Sequence, residues 1–197
     1  MDLALQIWGG GFYLFNKIFL SLAEGRRDGL KRKLRIAGWV AYLLGVPAWV
    51  IILVGKHNWI AASIEAGGVP AMLFGLFTVI QNKAAPHKLF DAVTSACTYA
   101  FVVIGVCYSV YDYGGLVAIT QVLEISAMTG FLLGSYLLAK HNTRGWLLFM
   151  LMNGSMAALM FIQHKPILTA QQMASLCFVA YGFVTAVKAA GDRRSEI

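Results

Sequence analysis

Charged side chains are scarce in this chain, at 13% against 59% hydrophobic residues and a mean hydropathy of +0.69. A soluble domain carries about 25% charged and roughly 45–50% apolar residues, so a water-soluble globule is excluded and an integral membrane protein is indicated. Cysteine is nearly missing as well. Cys97, Cys107 and Cys177 lie inside apolar runs, with neither CxxC spacing nor clustered histidines. This excludes a disulfide framework and a metal site, and reads the three as packed thiols. No Ser/His/Asp or Cys/His set occurs within membrane depth, and His57, His87, His141 and His164 all fall in loops, so an enzyme has little to work with and no cofactor or metal is called for. Gly9-Gly10-Gly11 has no preceding strand and no basic partner, which makes it a close-packing element and not a phosphate loop. The net charge of +7 is spread over short loops between apolar runs, without a basic face interleaved with aromatics. A nucleic-acid partner is excluded on that ground.

What the chain does have is a repeat. The stretch from Gly38 to Gln81 slides without a gap onto that from Gly145 to Lys188, at a constant offset of 107 residues. Gly38-Trp39 then falls on Gly145-Trp146, His57 on His164, Glu65 on Gln172, Gly75 on Gly182 and Thr78 on Thr185. A half-chain repeat in a hydrophobic protein is the mark of a transporter built from two related bundles around a central site.

Seven apolar segments can be drawn, at about 3–22, 35–55, 58–81, 88–111, 115–139, 145–163 and 166–188. Each is long enough to cross a bilayer as a helix. The first is interrupted by Asn16 and Lys17, and Asp2 stands where a signal peptide has its basic start, so it is expected to stay in the chain as a span. Lys17 is expected to snorkel or to pair with a carboxylate. Of the 16 basic residues, 13 fall in alternate loops and in the tail, which puts the amino terminus outside and the carboxyl terminus in the cytosol. Four spans separate the repeat equivalents, so both copies cross in the same direction. The expected fold is all-α: a single membrane domain over 1–197, with a first bundle at 3–81, a linker helix at 88–111, a second bundle at 115–188 and a basic tail at 189–197. That is three plus one plus three helices. Pro47 and Pro70 lie inside spans and predict kinks.

Ionisable and amide residues inside the membrane are expensive and tend to face a cavity. Glu65 and Gln172 stand at equal depth in the two copies, and Gln121 and Glu124, three apart on one helix face, stand at a similar depth. Asn153 faces apolar Val46 across the repeat, a loss of symmetry that suggests a one-sided ligand contact. Trp49 lies deeper than Trp39, Trp146 and Trp59 and offers a stacking wall, whereas those three read as interfacial anchors. The expected substrate-binding set is therefore Glu65, Gln121, Glu124, Asn153, Gln172 and Trp49. Asp91 is read as complementing a helix amino terminus.

The run from Glu124 to Lys188 resembles the PnuC family of bacterial vitamin transporters, which is related to the SWEET sugar transporters. The resemblance rests on LLGSYLLAKHNTRGW (Leu132–Trp146), on Asn153 in the next helix, and on ILTAQQ followed by Tyr181-Gly182-Phe183. It implies a seven-span, three-plus-one-plus-three fold in the bacterial plasma membrane and facilitated diffusion of a vitamin precursor such as nicotinamide riboside, with a cytosolic kinase providing the pull. Where family members often carry a further Trp, this chain has Thr185 and Lys188. Nicotinamide riboside, thiamine, riboflavin or a related small solute are thus all open, as are a SWEET-like sugar uniporter and a non-transporting assembly protein. The expected partners are a small-molecule substrate and the lipid bilayer, and a homo-oligomer is left open.

Overall fold

The computed structural model describes residues 2–55, 57–81 and 88–195. Lys56, Lys83 and His87 of the loop reading lie outside the described residues. Within them the chain forms eight helices: α1 (Asp2–Ala23), α2 (Asp28–Gly55), α3 (Trp59–Gly67), α4 (Val69–Gln81), α5 (Lys88–Asp112), α6 (Ile119–Ala139), α7 (Arg144–Ile162) and α8 (Pro166–Ser195). Six stretches are long and apolar enough to cross a membrane: α2, Ala61–Gln81 across α3 and α4, α5, α6, α7, and Pro166–Gly191 of α8. α1, with Asn16 and Lys17 in its second half, is not among them. The expectation of seven spans is matched at six.

Local chemistry explains where the helices stop. His57, His141 and His164 have φ of 56, 56 and 55°, and each sits just past a helix end. The amide of each bonds the carbonyl three residues back, and the next amide reaches five residues back, as in Asn58 to Leu53 and Lys165 to Met160. This pair of bonds is the Schellman cap, which satisfies the last carbonyls of a helix. Asn58 then starts α3 by accepting from the Ala61 amide at 3.2 Å. The third segment breaks at Gly68 and not at Pro70, which occupies the first turn of α4 where a missing N–H costs nothing. Pro47 lies within an unbroken α2.

The helices close a ring. α1 packs on α2, α2 on α4, α4 on α6, α6 on α7, α7 on α8, and α8 back on α1. α5 stays outside it, against α3, α4 and α6. Most of α5 faces outward, which suits a helix surrounded by lipid.

Repeat equivalents make the same contacts. A Cβ on Gly75 would lie 2.4 Å from the Trp39 ring, and one on Gly182 would lie 2.8 Å from the Trp146 ring. Thr78 and Thr185 each bond the carbonyl four residues back. The likeness extends to α1 and α6 at a second offset. Leu20 seats on Gly38 as Leu138 seats on Gly145, and Tyr13 and Phe131 both present edges to Tyr42, at 4.9 and 6.0 Å between centroids. In both pairs the α6 residue is 118 positions further on.

Two readings are corrected here. Trp39 and Trp146 are each 1% exposed. They fill the ring interior against glycines instead of anchoring at an interface, whereas Trp59 is open on the surface. Cys107 and Cys177 are exposed on their helices, so these two are free thiols on the outer surface and not packed ones, whereas Cys97 is a half-buried free thiol. The tight seats lead to a graded expectation. Gly75→Ala should destabilise by about 1–3 kcal/mol through overpacking, Gly182→Ala by less, and Gly154→Ala, whose Cβ meets nothing within 4 Å, not at all. Thermal unfolding in detergent gives the order, and equal midpoints for all three would contradict the seats.

Candidate functional site

The interior of the ring contains a lysine. Lys17 of α1 is 2% exposed, and its Nζ donates to Asn16 Oδ1 at 3.1 Å. The same nitrogen stands 4.3 Å from the centroid of Tyr42 and 3.9 Å from that of Phe149. Nitrogen over ring faces at such distances is the position of an ammonium attracted by aromatic quadrupoles. Tyr42 and Phe149 are equivalents in the repeat, so one cation from outside the aligned stretches is shared by both copies. Asn16 is fixed in turn by donating from Nδ2 to the Gly38 carbonyl at 3.0 Å. Ser135, which is 118 residues beyond Lys17, donates to the Tyr42 hydroxyl at 3.3 Å. Lys17 therefore neither snorkels nor pairs with a carboxylate, in contrast to the expectation from sequence.

Polar atoms around this layer lack partners. Tyr13 Oη, Trp49 Nε1 and Asn153 Oδ1 are buried without a hydrogen bond within the protein. Tyr13 abuts Tyr42 edge-on and lies 6.3 Å from the Trp49 ring. Asn153 is one turn beyond Phe149 and donates from Nδ2 to its carbonyl at 2.7 Å, which leaves the amide oxygen over. Native proteins pair nearly all buried polar groups, so unpaired ones call for a ligand or water.

The remaining predicted residues separate. Glu65, on α3, is half-buried, with Oε1 enclosed and unpartnered. Gln172 is half-buried on α8, and its neighbour Gln171 bonds the Gly10 carbonyl. Gln121 is fully buried but already used: it accepts from the Val117 amide and donates to the Ser109 and Gly115 carbonyls, stitching the loop between α5 and α6. Glu124 is exposed. The face expected to carry both therefore does not place them in one environment. Asp91 accepts from Lys140 at 2.9 Å and from Tyr136 at 2.8 Å, so it ties α5 to α6. The bond that Lys140 donates to Asp91 raises the Lys140 pKa.

A pocket of about 330 Å³ opens at the end of the ring that carries the α1–α2 and α6–α7 turns. Glu24, Lys31, Arg35, His141 and Trp146 are among its walls. Arg35 bonds Glu24 at 2.8 Å and also contacts His141 Nδ1, linking the two halves of the chain. Much of His141 remains open to water, yet desolvation of its ring, together with the charges of Arg35 and Lys31, lowers its pKa to about 4. Trp146 also lines a narrow crevice beside this pocket, shared with Leu20, Glu24, Arg35, Trp39 and Leu138.

Sequence reasoning gave Lys17 no place in the site and passed over Tyr42, Phe149 and Ser135. The available signal was a lysine beside an asparagine, six residues inside the end of an apolar helix. No family model, curated protein or solved structure matches this chain.

Proposed function

We propose that the protein is a membrane carrier for a small polar solute, which crosses through the six-helix ring by alternating access. One unit is α1, α2 and α3–α4, the other is α6, α7 and α8, and α5 is the linker that lets the two run in parallel. The two units rock about the layer of Tyr42 and Phe149, with the solute meeting Trp49, Glu65, Asn153 and Gln172. The observation that carries this reading is the recurrence of the same helix contacts in the two halves of the chain, beside buried, unsatisfied polar atoms. Duplicated bundles meeting at a polar site near mid-membrane are how such carriers are built. In this reading the pocket bounded by Arg35 and His141 is the cytosolic vestibule, the amino terminus lies outside, and the membrane is a bacterial plasma membrane. The solute is of the vitamin-precursor kind, nicotinamide riboside being the first to try, and a cytosolic kinase would draw it inward.

Purified protein in liposomes should show saturable uptake of one solute from a panel of nicotinamide riboside, thiamine, riboflavin, pyridoxine, nicotinate, pantothenate, biotin, glucose and sucrose. Flux at the level of protein-free vesicles for every solute would favour a bundle that only scaffolds other proteins. Glucose or sucrose as the moving solute would make it a sugar uniporter.

A further inference from the structure

We infer that the solute carries a carboxylate, that Lys17 receives it, and that a solute of fixed positive charge is rejected by the same residue. This rests on the carrier reading above but replaces its first choice of solute, because nicotinamide riboside and thiamine carry a fixed positive charge and no carboxylate. The first ground is the missing counter-charge. Among the described residues, the ion pairs join Glu24 to Lys31 and Arg35, and Asp91 to Lys140, and none reaches Lys17. The ammonium is held in a closed interior by one neutral oxygen and two ring faces. A buried charge without an opposite partner is costly to keep and marks a substrate pathway by default.

The second ground is the character of the unpaired atoms beside it. Trp49 Nε1 is only a donor, and the Tyr13 hydroxyl has a proton to give. Ring contacts from Trp49 to Tyr13 to Tyr42 connect both to the Lys17 ammonium. Three groups on α1 and α2 that can each donate complement an acceptor-only carboxylate, and charge-assisted bonds of that kind are the strong ones. The lone unpaired acceptor nearby, Asn153 Oδ1, belongs to α7, on the other unit. It suits an N–H or O–H at the far end of the same solute. A solute binding both ends would hold the two units together.

The third ground is competition. An organic cation seeking the two aromatic faces would find them occupied by Lys17 and would meet a like charge. Lys17 therefore selects by occupying the box as well as by attraction.

Matched pairs that differ only in the acid group test this, with nicotinamide riboside as the fixed cation: nicotinate against nicotinamide, pantothenate against its alcohol, and biotin against its amide. Uptake into liposomes would be compared for wild type, Lys17→Met and Lys17→Arg. Wild type should prefer the acid of one pair by about tenfold or more, the scale on which an unpaired buried charge is felt. Lys17→Met should abolish that preference and admit the cation, and Lys17→Arg should retain the preference. Exchanging a buried charge for an apolar group of similar length is often neutral for folding. Should Lys17→Met not fold, the wild-type ratios decide alone. Preference for an amide, alcohol or cation in wild type, or an acid preference that Lys17→Met leaves unchanged, overturns the inference while the carrier reading stands. Flux of no member of any pair overturns the inference, and the carrier reading falls with it only when the whole panel above is silent too.

Discussion

Phe149→Ala should lower stability by about 3–5 kcal/mol, the cost of removing a packed aromatic side chain from a core. Phe149 is fully buried, edge-on to both Tyr42 and Trp146, and Gly134 is cleared of a Cβ to seat it. Close packing leaves neighbours little freedom to collapse into the gap. Alanine there also strips one of the two faces from the Lys17 ammonium, so the cavity borders a charge and not a methyl group. For a chain of this size a loss of that order lowers Tm by about 10 °C. Phe149→Leu, which fills most of the space but offers no ring, should fall between. A Tm for Phe149→Ala within a degree or two of wild type would mean that neither the packing nor the box holds the two halves.

Glu65→Ala and Gln172→Ala should each reduce carrier-mediated uptake at least tenfold while leaving the protein folded. One occupies in the first copy the position the other occupies in the second, and neither amide nor carboxyl has a hydrogen bond among those described for the two side chains. Removing a polar contact made to a solute costs about 1.4 kcal/mol or more for each tenfold of apparent affinity. Removing a group that only braced the bundle would instead lower Tm. Uptake kinetics beside thermal unfolding separates the two, and full uptake in both variants would take the site away from these positions. Gln121→Ala is the contrasting case, because its three backbone bonds make it a loop brace whose loss should register in stability.

The repeat was legible because it runs without a gap and is punctuated by Gly-Trp pairs and by histidine turns that cap helices in the same way. Six of the seven expected spans followed from hydropathy, and the arithmetic of duplication set the fourth apart from both copies without saying that α5 would lie outside the ring. The match of α1 to α6 was not legible. α2 starts at Asp28, well ahead of Gly38, whereas α7 starts at Arg144, next to Gly145. The extra turns of α2 shift the offset from 107 to 118, and only Leu20/Leu138 and Tyr13/Phe131 then show through. Trp39 and Trp146 were misread for another reason. Depth along a helix is a one-dimensional property, but whether an indole faces lipid or a glycine on a neighbouring helix depends on how the helices cross. The same holds for Gln121 and Glu124, where spacing puts two residues on one face but says nothing of what that face meets.

Tyr42 and Phe149 enclose a space that belongs to both copies at once, and this limits how alike the copies can remain. A duplicated gene begins with two identical residues at every paired position. If α6 had kept a lysine opposite Lys17, two ammonium groups would contend for one aromatic box, and unit charges some 4 Å apart repel by about 4 kcal/mol even at an effective dielectric of 20. Ser135, small and hydrogen-bonded to Tyr42, avoids this conflict. Divergence at the shared axis is therefore forced by crowding and charge, whatever the ligand, whereas divergence off the axis, as between Val46 and Asn153, is free to record what the protein recognises.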